Sequence, residues 1–312
     1  MRVLMLFVDG VGIGRKDPAV NPMFAARLPA LRSMLDGELP SLRRRAASGR
    51  MATLIPLDAT MGVPGLPQSG TGQTALFTGV NAPKLAGIHF GPYPHSSLRP
   101  VLQQKNIFRQ VLSRSLQPWF ANAYPQRFFD YIGERPSRIT ATSYSALASG
   151  MRLLNVTDLM SGSGISADIT NESWSGLGYP EVDVIEPEEA GRRLARLASR
   201  FDFVLFEYWK TDHAGHSRHM GEAVRALERL DAMLLGILEG LNASETLLFI
   251  SSDHGNIEDL STKTHTRNPV PALFYGRGHA EAARALQMAA ARSPSLVHVT
   301  PVLLNILSGR PE

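Results

Sequence analysis

Three features of the sequence predict an α/β fold with a mainly parallel sheet flanked by helices. Val3 to Val8 is a short, wholly apolar run that gives way at Asp9 to the turn Gly10, Gly12, Gly14. That is the pattern of a strand buried on both faces. Phe203–Phe206 and Thr246–Ile250 are two further runs of this kind. Between them Met220, Val224, Leu227, Leu230, Leu234, Ile237 and Leu241 recur at helical spacing, as in a helix that lays one face on a sheet. Strand, helix, strand in this order implies a parallel pair joined by a crossover.

The remaining elements are read in chain order. Asn21 and Pro22 precede a helical pattern at Phe24, Leu28, Leu31, Met34 and Leu35. Gly72 to Thr78 can start another helix. Ala272–Tyr275 reads as a strand, followed by helical stretches around Ala280–Ala291 and Pro301–Leu307. The middle differs, being rich in Pro, Ser and aromatic residues with poor periodicity. It divides the chain into a core formed by 1–83 and 196–312 and an inserted or cap-like region at 84–195. No internal repeat or low-complexity linker is present.

The 312 residues are 44% hydrophobic and 19% charged, which permits a sizeable core. With no cysteine, disulfides and thiolate metal sites are excluded, so any metal must sit on Asp, Glu, His or hydroxyl oxygen. The net charge is +4, with a pI near 9.5. Its densest basic run, Arg43, Arg44, Arg45 and Arg50, carries no interleaved aromatics and reads as a solvated surface rather than a nucleic-acid patch. The apolar N-terminal run is too short for a signal peptide, and none approaches the length of a membrane span. A cytoplasmic address is the expectation.

Four segments carry chemistry: Asp9, PQSGTGQTALFTG (67–79), TDHAGH (211–216) and SDHGNIEDLSTKTHTRNPVP (252–271). Each alone has an ordinary structural explanation, such as a turn, a loop or a core histidine. Asp9 follows a strand at the edge where ligands of open α/β sheets gather. Asp212 and His216 are four apart, so a helical turn puts both on one face and on one ion. Asp253 and His254 are adjacent beyond the third strand, and His265 lies in a polar loop returning to the next. Such a mixture of Asp and His suits zinc or manganese, whereas magnesium rarely takes histidine. Ser69 sits before a helix start, which favours a phosphate or sulfate. Coordination to a divalent ion would make its hydroxyl a nucleophile without a histidine base. Thr71 is a second hydroxyl in the same turn. His213 and His219 read as ordinary surface residues, while His89 and His95 are weaker candidates for substrate contact.

In this order the segments resemble the alkaline phosphatase superfamily, including cofactor-independent phosphoglycerate mutases, phosphopentomutases and nucleotide pyrophosphatases. The family pattern maps onto Asp9, Ser69, Asp212 with His216, Asp253 with His254, and His265. The resemblance implies an alkaline-phosphatase-like core and two divalent ions, zinc or manganese. One would be held by Asp212, His216 and His265, the other by Asp9, Asp253, His254 and the oxygen of Ser69. It further implies attack by Ser69 on a small anionic phosphorylated substrate, and a phosphoserine passed to water or to a second hydroxyl. The chain departs from the mutases at Gln73, where they typically have histidine, and is much shorter than the phosphoglycerate mutases. Ser69 also lacks the proline two residues on that sulfatases need. A phosphatase or phosphodiesterase is therefore expected, with a phosphomutase or a non-catalytic binding protein as alternatives.

Overall fold

Strand β1 (Arg2–Val8) is buried from Val3 onward and lies at the heart of a seven-stranded sheet. The other strands are β2 (Ala47–Ser48), β3 (Ala52–Leu57), β4 (Pro118–Phe120), β5 (Phe203–Tyr208), β6 (Thr246–Ser251) and β7 (Val270–Tyr275). The computed structural model describes residues 1–309. Across the sheet the order is β2, β3, β7, β6, β1, β5, β4. β1 pairs in parallel with β5 and β6, and β4 pairs in parallel with β5. β7 runs against β6 and β3, and β2 against β3. Five of the seven strands thus point one way.

The alternation of side chains along the central strands explains why these runs are apolar throughout. Val3, Met5 and Phe7 face one side, with Phe203, Leu205, Leu247 and Phe249. That side is covered by helices α1 (Ser69–Thr78) and α5 (Val299–Leu307), which contribute Leu76, Phe77, Val302 and Leu303. Leu4, Leu6 and Val8 face the other side beneath α2 (Pro187–Arg200) and α4 (Met220–Gly240), whose Leu194, Leu197, Leu227 and Ile237 complete it. Each such side chain contributes roughly 1.5–3 kcal/mol when fully buried, so both layers are held strongly to the sheet.

Several elements differ in extent from the sequence reading. The stretch around 24–35 forms two short helices, Pro22–Ala25 and Pro29–Met34, because Pro29 bars a continuous helix through Leu28. The second is capped from outside: Asp231 of α4 accepts the N–H groups of Ala30 and Leu31, both at 2.9 Å. The helix expected from Gly72 starts at Ser69, with Gly72 N–H already bonded to the Gln68 carbonyl. Within 84–195, β4 extends the main sheet, Ile107 and Phe108 join the core beneath α1, and α2 runs across position 195. The residues Arg43, Arg44, Arg45 and Arg50 lie at the surface, where Arg44 pairs with Glu38 at 3.2 Å. Among the described residues no helix is long and apolar enough to cross a membrane.

Candidate metal centre

Because β1, β5 and β6 are adjacent and parallel, the residues following them meet at one edge. Asp9 leaves β1 and its N–H donates to the Tyr208 carbonyl at 3.0 Å. Asp253 and His254 follow β6 directly. After β5 comes helix α3 (Lys210–Ser217), tied back by the Thr211 hydroxyl donating to the Asp9 carbonyl at 2.6 Å. Gly10 lets this meeting be close: its φ is +70°, and a Cβ there would fall 2.5 Å from Oδ1 of Asp212. Any other residue would be strained and would push Asp212 aside.

Ser69 enters from the side of the sheet that α1 covers, as the first residue of that helix, after Gln68 in extended backbone. Thr71 is wholly buried and engaged there, its hydroxyl donating to the Gln68 carbonyl at 3.1 Å and accepting from Phe90 N–H at 3.2 Å. Ser69 is the hydroxyl that faces the imidazoles, with Oγ 2.9 Å from Nε2 of His254.

Seven side chains come together in two groups. In the deeper group, Nε2 of His254 is 3.3 Å from Oδ1 of Asp9 and 3.6 Å from Oδ2 of Asp253, beside Ser69. In the outer group, Oδ2 of Asp212 is 3.3 Å from Nε2 of His216, and His265 Nε2 is 3.1 Å from the same nitrogen. Asp212 sits at the seam, with ligand atoms close enough to share an ion with His216 and His265 or with Asp9 and His254. The His254 and His265 rings stack with centroids 3.8 Å apart.

The electrostatics follow from burial. Asp9 is pushed well above the usual carboxylate range by desolvation, with Asp253 and Asp212 adding to the effect. Burial, then Asp212, raises Asp253 to about 7. Burial works the same way on Asp212, but the hydrogen bond to His216 and the nearby His254 outweigh it and hold this carboxyl low. His254 and His265 are both lowered by burial, which keeps them neutral.

The donor set fits a divalent metal. Asp9 Oδ1 and Asp253 Oδ2 are buried without a hydrogen-bond partner among the described residues, a cost that a cation beside the carboxylates would relieve. Nδ1 of His265 donates to the Pro67 carbonyl at 2.8 Å, leaving Nε2 with a lone pair aimed at the outer group. A cavity of about 350 Å³ opens on both groups, lined by Leu66, Gln68, Ser69, Gly91, Pro92 and Thr264 besides Asp212, His216 and His265.

The other histidines named from the sequence lie outside the two groups. His89 is buried, with Nε2 3.2 Å from the Val63 carbonyl, and lies outside the lining of this cavity. His95 bonds Ser97 at 2.8 Å, and His213 lines a different cavity beside Lys210 and Arg225. His219 is exposed ahead of α4.

A family model described as "Metalloenzyme superfamily" matches residues 1–310. The chain belongs to the metalloenzyme superfamily. It is 32% identical over 141 residues to a 2,3-bisphosphoglycerate-independent phosphoglycerate mutase of Thiobacillus denitrificans, covering 43% of this chain and 25% of that protein. A mutase of the same name from Malacoplasma penetrans is 28% identical over 192 residues, 58% of this chain and 33% of its own length. The chain thus spans about a quarter to a third of these curated relatives. In structure it is similar to the PH0037 protein from Pyrococcus horikoshii, with a TM-score of 0.60 and 13% identity, covering 100% of this chain and 98% of that one. Alkaline phosphatase from the Antarctic bacterium TAB5 gives a TM-score of 0.51 at 12% identity, covering 98% of each chain. The likeness in structure shows an alkaline-phosphatase-like fold.

In this metalloenzyme several residues that support the centre escaped the sequence reading. Asn256 donates to Oδ1 of Asp212 at 2.7 Å and to its carbonyl at 3.1 Å. Ser252 accepts from Val11 N–H at 2.9 Å and donates to the His254 carbonyl at 3.0 Å. Glu258 accepts from the N–H groups of Gly12 and Asn256, the amide of Asn268 at 3.0 Å and the hydroxyl of Thr266. Asn256, Ser252 and Glu258 lie within the 252–271 segment, so their proximity to His254 was a signal. Their hydrogen bonds with Asp212, Val11 and Gly12 were not, since each of these crosses to a segment distant in sequence.

Proposed function

We propose that this metalloenzyme transfers phosphoryl groups, as a phosphatase or phosphodiesterase with Ser69 as the nucleophile. The observation that carries this reading is the Ser69 hydroxyl, at the start of a buried helix and 2.9 Å from His254, facing three carboxylates and three imidazoles. Asp212, His216 and His265 would hold one zinc or manganese ion, and Asp9, Asp253, His254 and Ser69 Oγ a second. Bound there, the ions supply positive charge that makes the serine oxygen nucleophilic at neutral pH and offsets the charge of the phosphoryl group. Ser69 lines the open cavity, so its oxygen can meet phosphorus and its proton has a route to solvent. Its attack forms the Oγ–P bond as the bond to the leaving oxygen breaks, and water then takes the phosphoryl group from Ser69. The positive end of the α1 dipole favours the anion throughout.

A phosphomutase is the second reading, favoured by the named relatives, which are phosphoglycerate mutases. It needs an acceptor hydroxyl in place of water. The test is turnover of p-nitrophenyl phosphate and its bis-ester by chelator-stripped protein reloaded with zinc or with manganese. Reloading is expected to restore turnover, and Ser69→Ala to lower it at least on the order of 10³-fold with the fold retained. Equal turnover in Ser69→Ala overturns Ser69 as nucleophile. A phosphoserine that persists in water but passes to an added alcohol selects the mutase.

A further inference from the structure

We infer that Gln73 is a positioning residue, whose side-chain amide turns the Asp9 carboxylate so that one chosen oxygen faces the centre. The inference rests on the metal-binding reading above. Gln73 Nε2 lies 3.2 Å from Oδ2 of Asp9, and the two residues are 2% and 7% exposed. The donated hydrogen bond occupies the outer oxygen. The inner one, Oδ1, points to His254 Nε2 at 3.3 Å and has no hydrogen-bond partner among the described residues. The carboxylate would otherwise be free to rotate about its last bond, and two oxygens would compete for the same place.

The amide itself has one allowed orientation. Gln73 Oε1 is buried and unpartnered, and flipping the amide would set it against Oδ2, oxygen on oxygen. The group is also neutral. Asp253, Asp212 and Glu207 already act on Asp9. A carboxylate at 73 would add to that repulsion, and a lysine or arginine would bring a fixed charge that competes with a cation. An amide donates without doing either.

Position 73 matters as well. Gln73 and Ser69 are four residues apart on α1, hence on one face and about 6 Å apart along the axis. A single rigid, fully buried helix therefore presents the hydroxyl and orients a carboxylate of β1. Displacing α1 would move both together, and the Gln73 hydrogen bond ties that helix to the Asp9 carboxylate where Phe77 already packs on Phe7 of β1.

Cobalt(II) titration of the chelator-stripped protein, followed by visible absorbance and by calorimetry, tests this. Asp9→Asn and His216→Ala identify which binding event belongs to the deeper group and which to the outer. In Gln73→Met, which keeps the bulk and removes the donor, the deeper event is expected to weaken about 10–100-fold with an altered cobalt spectrum, while the outer event stays within about twofold. A residue that only fills space would lower the melting temperature and leave both affinities and the spectrum unchanged, and that result overturns the inference. Should Gln73→Met not fold, Gln73→Ala, with room for water, is held to the same criteria. Wild-type protein that binds no cobalt overturns the metal reading itself, and this inference with it.

Discussion

The deep and outer groups of the centre use similar side chains in different surroundings. Asp253 and His254 are 0% exposed and Asp9 is 7% exposed, whereas the His216 side chain is 47% exposed and that of Asp212 17%. The deep group crowds two carboxyls where water cannot reach them, and both are pushed upward in pKa. The outer group offsets its one carboxyl with a hydrogen-bonded histidine, and the His216 imidazole is in turn raised by Asp212. Without a cation the deep group is a source of instability that only the surrounding fold overcomes. In the outer group the lowered Asp212 and the raised His216 each favour the folded state, and the pair stands at the cavity.

The largest test of this contrast is Asp253→Asn. Turnover is expected to fall on the order of 10³-fold, while chelator-stripped protein becomes more stable by on the order of 2 kcal/mol at pH 8. The sign follows from the raised folded pKa: this carboxyl costs nothing while protonated, so its contribution to stability is full below about pH 4 and is lost as pH rises through about 7. Melting temperatures of stripped wild type should therefore decline between pH 5 and 8, and Asp253→Asn should flatten that decline. Identical profiles for the two proteins would remove the contrast.

His216→Ala probes the other side. Loss of an exposed ligand is expected to weaken one metal site about 10–100-fold and to change the stability of stripped protein by less than about 1 kcal/mol. A large destabilisation would show that the outer group is structural after all. The smallest effect on turnover is expected for Asp231→Ala, which removes the cap of helix Pro29–Met34. It should cost about 1–2 kcal/mol in chemical denaturation with unchanged turnover below the unfolding transition. That variant would show that turnover does not follow a stability change of this size made away from the centre.

The sheet and the seven converging residues were legible because both leave local marks. Val3–Val8, Phe203–Phe206 and Thr246–Ile250 are unbroken apolar runs, and each is followed within a few residues by a carboxylate. Strand β4 left no such mark: three residues are too few to display a period, and its place was fixed by pairing with β5. The early start of α1 was hidden by Gly70 and Gly72, poor helix formers, whose cost is offset by burial of the whole helix. The Gln73–Asp9 bond joins residues 64 apart. Gln73 was visible as a departure from the mutases, but its partner depends on which face of α1 meets β1.

Glu258 acts as a clasp. By gripping Gly12, Asn256, Thr266 and Asn268 at once, it fixes the base of the loop after β6 and leaves a more exposed tip. His265 belongs to the base, next to the bridge between Gly255 and Thr266, while Ser261 and Lys263 stand exposed on the tip. The exposed side chains of the tip can therefore change in charge with its anchor unmoved. One buried carboxylate thus separates the part of the loop that must keep its shape from the part whose exposed side chains are open to substitution near the cavity.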